Sequence, residues 1–163
     1  MGPDGAVFDK LLTRLPVVTR LAGETVLSAG LKTDLFLILK KGAVVVLKDS
    51  IEIARVEQLG AVLGELSALL DQPHTAEVRA LEDSQFYVAD AELLEKDPTA
   101  LLYVAKALAQ RLVDADRGLV ELKKQLQAGQ SSSVLGKTLE LIQHMLGVGA
   151  AVVGHPIDRS RIP

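Results

Sequence analysis

The 163-residue chain contains no cysteine. That absence excludes disulfides, zinc–thiolate centres, iron–sulfur clusters and thiol nucleophiles together, so stability has to come from packing. Acidic residues outnumber lysine and arginine by 21 to 18, and no run of basic residues is interleaved with aromatics, so the electrostatic footprint of a nucleic-acid binder is missing. No uncharged apolar stretch reaches the length of about 18 residues that a membrane span needs. Met1-Gly2-Pro3-Asp4-Gly5 also lacks the basic-then-apolar pattern of a secretory signal. These absences predict a cytoplasmic protein with no direct nucleic-acid partner and no membrane association.

What is present suits one folded core with a helical appendage, since hydrophobic residues make up 48% of the chain and its length leaves little room for a second domain. After a short amphipathic segment, Phe8–Leu15, the pattern changes at Pro16 to short β-rich runs: Thr25–Leu27, Leu35–Leu39, Ala43–Leu47, Ile51–Val56, Ala76–Ala80 and Gln85–Val88. Gly23, Gly30, Lys41-Gly42, Lys48-Asp49-Ser50 and Gly60 separate them, and such closely spaced turn residues point to an antiparallel sandwich or roll. Asp97 as an N-cap, Pro98 at the first helical position and Gly129 at the stop then bracket a long helix.

Within that helix Leu101, Ala105, Leu108, Leu112, Ala115, Leu119, Leu122 and Leu126 alternate steps of four and three, the spacing of a seam that faces a partner helix. The first half of the seam packs on the β-rich region, or the whole serves an intermolecular coiled coil; both readings stand at this point. Beyond it, Gln130–Ser133 reads as a linker and Val134–Leu146 as a short helix, followed by a Gly-rich end. The expected organisation is an N-terminal helical segment over 1–15, a β-roll over 16–97, a long helix over 98–128, and a linker with a short helical tail over 129–163.

The informative stretch is Gly60-Ala61-Val62-Leu63-Gly64-Glu65-Leu66-Ser67-Ala68-Leu69-Leu70-Asp71-Gln72-Pro73-His74-Thr75-Ala76, which is too long for a hairpin turn. Gly64 lets backbone approach a ligand closely, and a short helix starting near Glu65 has N–H groups available to an anion such as a phosphate. The Glu65 carboxylate repels a phosphate but accepts from a sugar hydroxyl beside it. Together these features suit a ribose phosphate.

This stretch resembles the phosphate-binding cassette of the cyclic-nucleotide-binding domain family, whose pattern is Phe-Gly-Glu-Leu-Ala followed by Pro-Arg-Ala/Ser/Thr-Ala. Gly23-Glu24 with Val26 and Gly30, Asp34-Leu35-Phe36-Leu37-Ile38-Leu39, and Gly42-Ala43-Val44-Val45-Val46 resemble the family's opening strands. Phe86-Tyr87-Val88-Ala89-Asp90, then Pro98 and Leu108-Ala109-Gln110-Arg111-Leu112, resemble its last strand, small helix and long C-terminal helix, so the likeness covers roughly residues 15 to 125. It implies a mainly β fold with flanking helices, an antiparallel, jelly-roll-like β-roll. It also implies that Gly64, Glu65, Leu66, Ser67, His74 and Thr75 hold a cyclic phosphate, that Glu65 binds the ribose hydroxyl, and that Val62, Leu63 and Ala76 line the base pocket.

Two positions depart from the family pattern. Leu63 replaces the usual Phe, and His74 stands where ligand-binding relatives carry a phosphate-pairing arginine. An imidazole near its ordinary pKa of about 6.5 is mostly neutral at pH 7 and donates one bond, where guanidinium donates two and keeps its charge. Losing a charge-assisted bond of about 1.5–3 kcal/mol weakens binding about ten- to a hundredfold. The bland alternative makes His74 a surface loop histidine in a roll that has lost its ligand.

Other candidates are weaker. His144 and His155 have no partner at metal-ligand spacing, so no metal is assigned; Ser131-Ser132-Ser133 lacks a nucleophile elbow; Glu92, Glu95 and Asp97 suit solubility and a helix start. The expected protein is therefore not an enzyme but a regulatory domain that senses cyclic AMP or cyclic GMP, needs no cofactor, and signals through its C-terminal helix, as a homodimer or with a partner protein on the Leu101–Leu126 seam. A degenerate roll acting as an interaction scaffold is the alternative, and an effector such as haem held by His74 is a third.

Overall fold

The computed structural model describes residues 3–127. Its elements are α1 (Pro3–Leu12), β1 (Val17–Arg20), β2 (Thr25–Leu27), β3 (Leu35–Lys41), β4 (Val44–Lys48), β5 (Ile51–Val56), β6 (Val62–Leu63), α2 (Glu65–Leu70), β7 (Glu77–Ala80), β8 (Ser84–Asp90), α3 (Ala91–Lys96) and α4 (Pro98–Gln127). The strands form two four-stranded sheets, ordered β1-β8-β3-β6 and β2-β7-β4-β5, with every pairing antiparallel. This is a β-roll with flanking helices.

β3 explains how the roll is held. Its Leu35-Phe36-Leu37-Ile38-Leu39 run lacks polar alternation because four consecutive residues, Phe36 to Leu39, are buried. Successive side chains point to opposite faces of a strand. Phe36 and Ile38 accordingly join Phe8, Val62, Ala89, Leu94, Ala100 and Val104 in a core between sheet and helices. Leu37 and Leu39 join Val44, Leu63, Val78 and Phe86 in a second core. β6 repeats the division in two residues, with Leu63 paired to Leu37 and Val62 to Ile38.

Several boundaries differ from those the sequence suggests. The first helix is Pro3–Leu12, not Phe8–Leu15, and stops in backbone turns at Arg14 and Leu15. Ala43 lies outside β4 because its N–H goes to the Ser84 hydroxyl and its carbonyl takes the Leu81 N–H. Ala76 likewise precedes β7. Val17–Arg20 and Val62–Leu63 are strands that the sequence reading omits.

The chain divides into two compact units, one to Gln110 and one from Arg111. In the first, Asp97 caps α4 as expected: its Oδ1 accepts from the Thr99 N–H at 2.8 Å and the Ala100 N–H at 3.2 Å. The α4 face that meets the core is Ala100, Tyr103, Val104, Ala107 and Leu108, whereas Leu101 and Ala105 of the expected seam are exposed. In the second unit Leu112 and Ala115 are exposed, and Leu119, Leu122 and Leu126 are half-buried. The expected stop at Gly129 and the linker and tail over 129–163 lie outside the described residues.

Candidate functional site

β6 ends at Leu63, and the next residue turns the chain into α2. Gly64 does this with φ 83° and ψ 3°, a left-handed conformation, and serves as N-cap of the six-residue helix. Such a φ favours glycine, and a side chain here would also meet Leu27 Cδ1 at 2.9 Å and His74 Cε1 at 3.1 Å. Glu65 follows at the first helical position and is 2% exposed, a carboxylate held inside the fold. Asp71, also left-handed, closes the helix, its N–H donating to the Ser67 carbonyl.

The loop carrying Thr33 supplies the other wall. The Ser67 hydroxyl lies 3.1 Å from the Thr33 carbonyl and 2.5 Å from the Gln72 carbonyl, so its single proton serves two backbone acceptors. Thr33 Oγ1 lies 3.0 Å from His74 Nε2 and 3.2 Å from the Leu35 carbonyl. When the Thr33 hydroxyl donates to Leu35, it accepts the Nε2–H of a neutral imidazole. The backbone of His74 is fixed as well, its N–H going to Leu31 O at 3.0 Å and its carbonyl accepting from the Gly30 N–H at 2.8 Å. An exposed Lys32–Asp71 ion pair at 2.6 Å links the same loop to the end of α2, although exposed pairs add little stability.

His74 is only 6% exposed, so it is not the surface loop histidine of the bland alternative. Burial pushes its pKa below the ordinary value near 6.5, and the Glu65 carboxylate pulls it partway back up. The imidazole is therefore neutral at pH 7. A second negative charge placed beside it adds to the pull of Glu65 and favours imidazolium.

Of the expected site residues, Ser67 and His74 both bond Thr33, Gly64 lies against the His74 ring, and Glu65 acts on that ring through its charge. Leu66 and Thr75 are exposed at the margin, and Ala76 is half-buried. Val62 and Leu63, expected in the base pocket, are buried in the two cores on either side of β6. Thr33 itself is the participant the sequence reading omits, since a threonine between Lys32 and Asp34 in an irregular loop carries no signal of its own. Among the described residues, no group of three or more acidic or histidine side chains is placed to hold a metal ion. None of the described helices is long and apolar enough to cross a membrane.

Residues 17–96 match the family model of the cyclic nucleotide-binding domain. This segment belongs to that family. The domain is structurally similar to a cyclic nucleotide-binding domain from Methylobacillus flagellatus KT, with a TM-score of 0.61 at 25% identity over 69% of this chain and 70% of that one. Thermus thermophilus catabolite activator protein gives the same TM-score, 0.61, at 19% identity over 92% of this chain and 85% of that one. The regulatory domain of Toxoplasma gondii PKA, in co-crystals with cAMP, gives 0.51 at 21% identity over 58% of this chain and 39% of that one. The last two likenesses establish the shared fold alone. No curated protein matches the chain.

Proposed function

We propose that the cyclic nucleotide-binding domain of this chain senses a cyclic mononucleotide, cyclic AMP or cyclic GMP, and acts as a regulatory module rather than a catalyst. The observation that carries the reading is the left-handed Gly64 delivering a buried Glu65 into the first position of α2, inside a segment of this family. In this reading the cyclic phosphate lies against the Gly64–Ser67 backbone with His74 and Thr75 opposite, Glu65 accepts from the ribose hydroxyl, and Ala76 touches the base side. The match to the cyclic nucleotide-binding family model and the likeness to the Methylobacillus flagellatus cyclic nucleotide-binding domain support that ligand class.

Binding here has two consequences. A phosphate near His74 stabilises imidazolium, so protonation and ligand binding assist each other. Ligand also draws α2 inward, and the segment after Val88, through α3 to α4, re-docks in response; a population shift of this kind needs only different ligand affinities for the two arrangements. The output surface is the Leu101–Leu126 seam, in a homodimer or against a partner protein.

Thermal unfolding with cyclic AMP, cyclic GMP and linear 5′-AMP tests the proposal. A ligand at about a hundred times its Kd stabilises the native state by about 2.7 kcal/mol, so a cyclic nucleotide must raise the midpoint while 5′-AMP does not. Glu65→Gln, which keeps the side chain's shape, should lose most of that shift. Unchanged midpoints with every nucleotide at millimolar concentration would leave only a scaffold role.

A further inference from the structure

A second concave site lies away from the expected nucleotide contacts and includes none of Gly64, Glu65, Ser67, His74 and Thr75. It is a cleft of about 630 Å³ in the first unit, walled by α1, the start of α4 and the β3–β8 side of the sheet. Ligand-binding clefts commonly measure about 300–1,000 Å³ and combine apolar walls with a few placed polar groups. Phe8 and Leu39, both buried, belong to its floor, and the exposed Leu59 and Leu102 stand at its mouth. Its charged side chains are two lysines, Lys40 and Lys106, against one carboxylate, Asp9, and Thr99 adds a hydroxyl.

The aromatic walls are held in place. Tyr103 donates its hydroxyl to the Gly60 carbonyl at 2.7 Å and stacks on Phe8 with ring centroids 3.7 Å apart. Lys40 stands 5.4 Å from the Tyr87 ring centroid, within cation–π range, so its ammonium is stationed over an aromatic face at the cleft. A ligand therefore meets flat apolar surface and a cationic group in one place.

We propose that this cleft is a second ligand site for a small amphipathic carboxylate. The charge balance selects the head group: two ammonium groups offset by one carboxylate leave a single positive charge, which suits a monoanion better than a phosphate dianion. The walls select the body, because apolar and aromatic side chains reward an aromatic ring or short acyl chain that leaves water. Bound there, the ligand bridges α1 to the first turns of α4, both of which border the cleft.

Both tyrosines of the chain, Tyr87 and Tyr103, line this cleft, so their ring proton NMR signals report on its occupancy. Titration of the full chain with 2-naphthoate should move both sets of signals saturably, and uncharged 2-naphthamide should bind about tenfold more weakly, the loss of one charge-assisted contact. Lys40→Gln with Lys106→Gln should lower naphthoate affinity to that of the amide and leave the amide unchanged. Decanoate displacing naphthoate extends the site to acyl chains, and failure to displace restricts it to aromatic acids. Cyclic AMP should displace neither, which keeps this outcome separate from that of the cassette. Equal affinity for acid and amide, or naphthoate binding that survives the double substitution, overturns the proposal, as does the absence of saturable movement with any probe.

Discussion

At the scale of single residues, His74 and Gly64 carry opposite kinds of constraint. His74 is buried with its pKa below the ordinary value, so the unfolded chain binds more protons than the folded one as pH falls through about 6.5. Its contribution is therefore neutral at pH 8 and becomes destabilising as pH drops toward the folded-state pKa. Urea unfolding of the ligand-free protein at pH 7.5 and 5.5 should show lower stability at 5.5, and His74→Gln should flatten the part of the slope that belongs to this group; an unchanged slope would remove His74 as its source. Nucleotide affinity should run the other way, increasing from pH 8 to pH 6 by calorimetry, because bound phosphate rewards the protonated ring. Gly64 is limited by backbone and space rather than charge. Gly64→Ala at φ 83° against Leu27 and His74 should cost about 1–3 kcal/mol, read as a lower urea midpoint with unchanged m-value.

At the scale of elements, the helix start at Asp97 and strand β3 show what kind of information a sequence holds openly. Asp97-Pro98 is a local signal, and the expected N-cap is found, with the Asp97 carboxylate accepting from the Thr99 and Ala100 N–H groups. Asp97→Ala should cost about 0.5–2 kcal/mol, measurable by thermal unfolding, whereas Asp97→Asn should retain most of the cap. β3 is legible for a similar reason, since a strand buried on both faces reads as an unbroken apolar run. β6 was missed because two residues, Val62 and Leu63, make no period; only their pairing with Ile38 and Leu37 makes them a strand. The same limit applies to the site. Gly64, Glu65 and Ser67 lie within four consecutive residues and are legible together, while Thr33 reaches His74 across 41 positions of sequence through a loop without pattern. Non-local contacts of that kind arise from the packing of β3 against α2 and β6, and no local spacing encodes them.

At the scale of the molecule, the Leu101–Leu126 pattern is longer than what the first unit uses. Within that unit the core takes Ala100, Val104, Ala107 and Leu108, which leaves Leu101 exposed; within the second, Leu112 is 54% exposed. A leucine repeated at steps of three and four and left half in water gains by meeting another apolar stripe, at about 25 cal/mol per Å² removed from solvent. The proposed homodimer supplies that stripe, so sedimentation should show a concentration-dependent dimer for the parent chain and a monomer for Leu112→Glu. Because Leu112 is already exposed, the variant should keep the parent's far-ultraviolet circular dichroism, which separates lost association from lost folding. If association and cassette are coupled, cyclic AMP changes the dimerisation constant and dimerisation changes cyclic AMP affinity by the same factor. A monomeric parent at every accessible concentration, with and without nucleotide, would confine the seam to contacts with another protein.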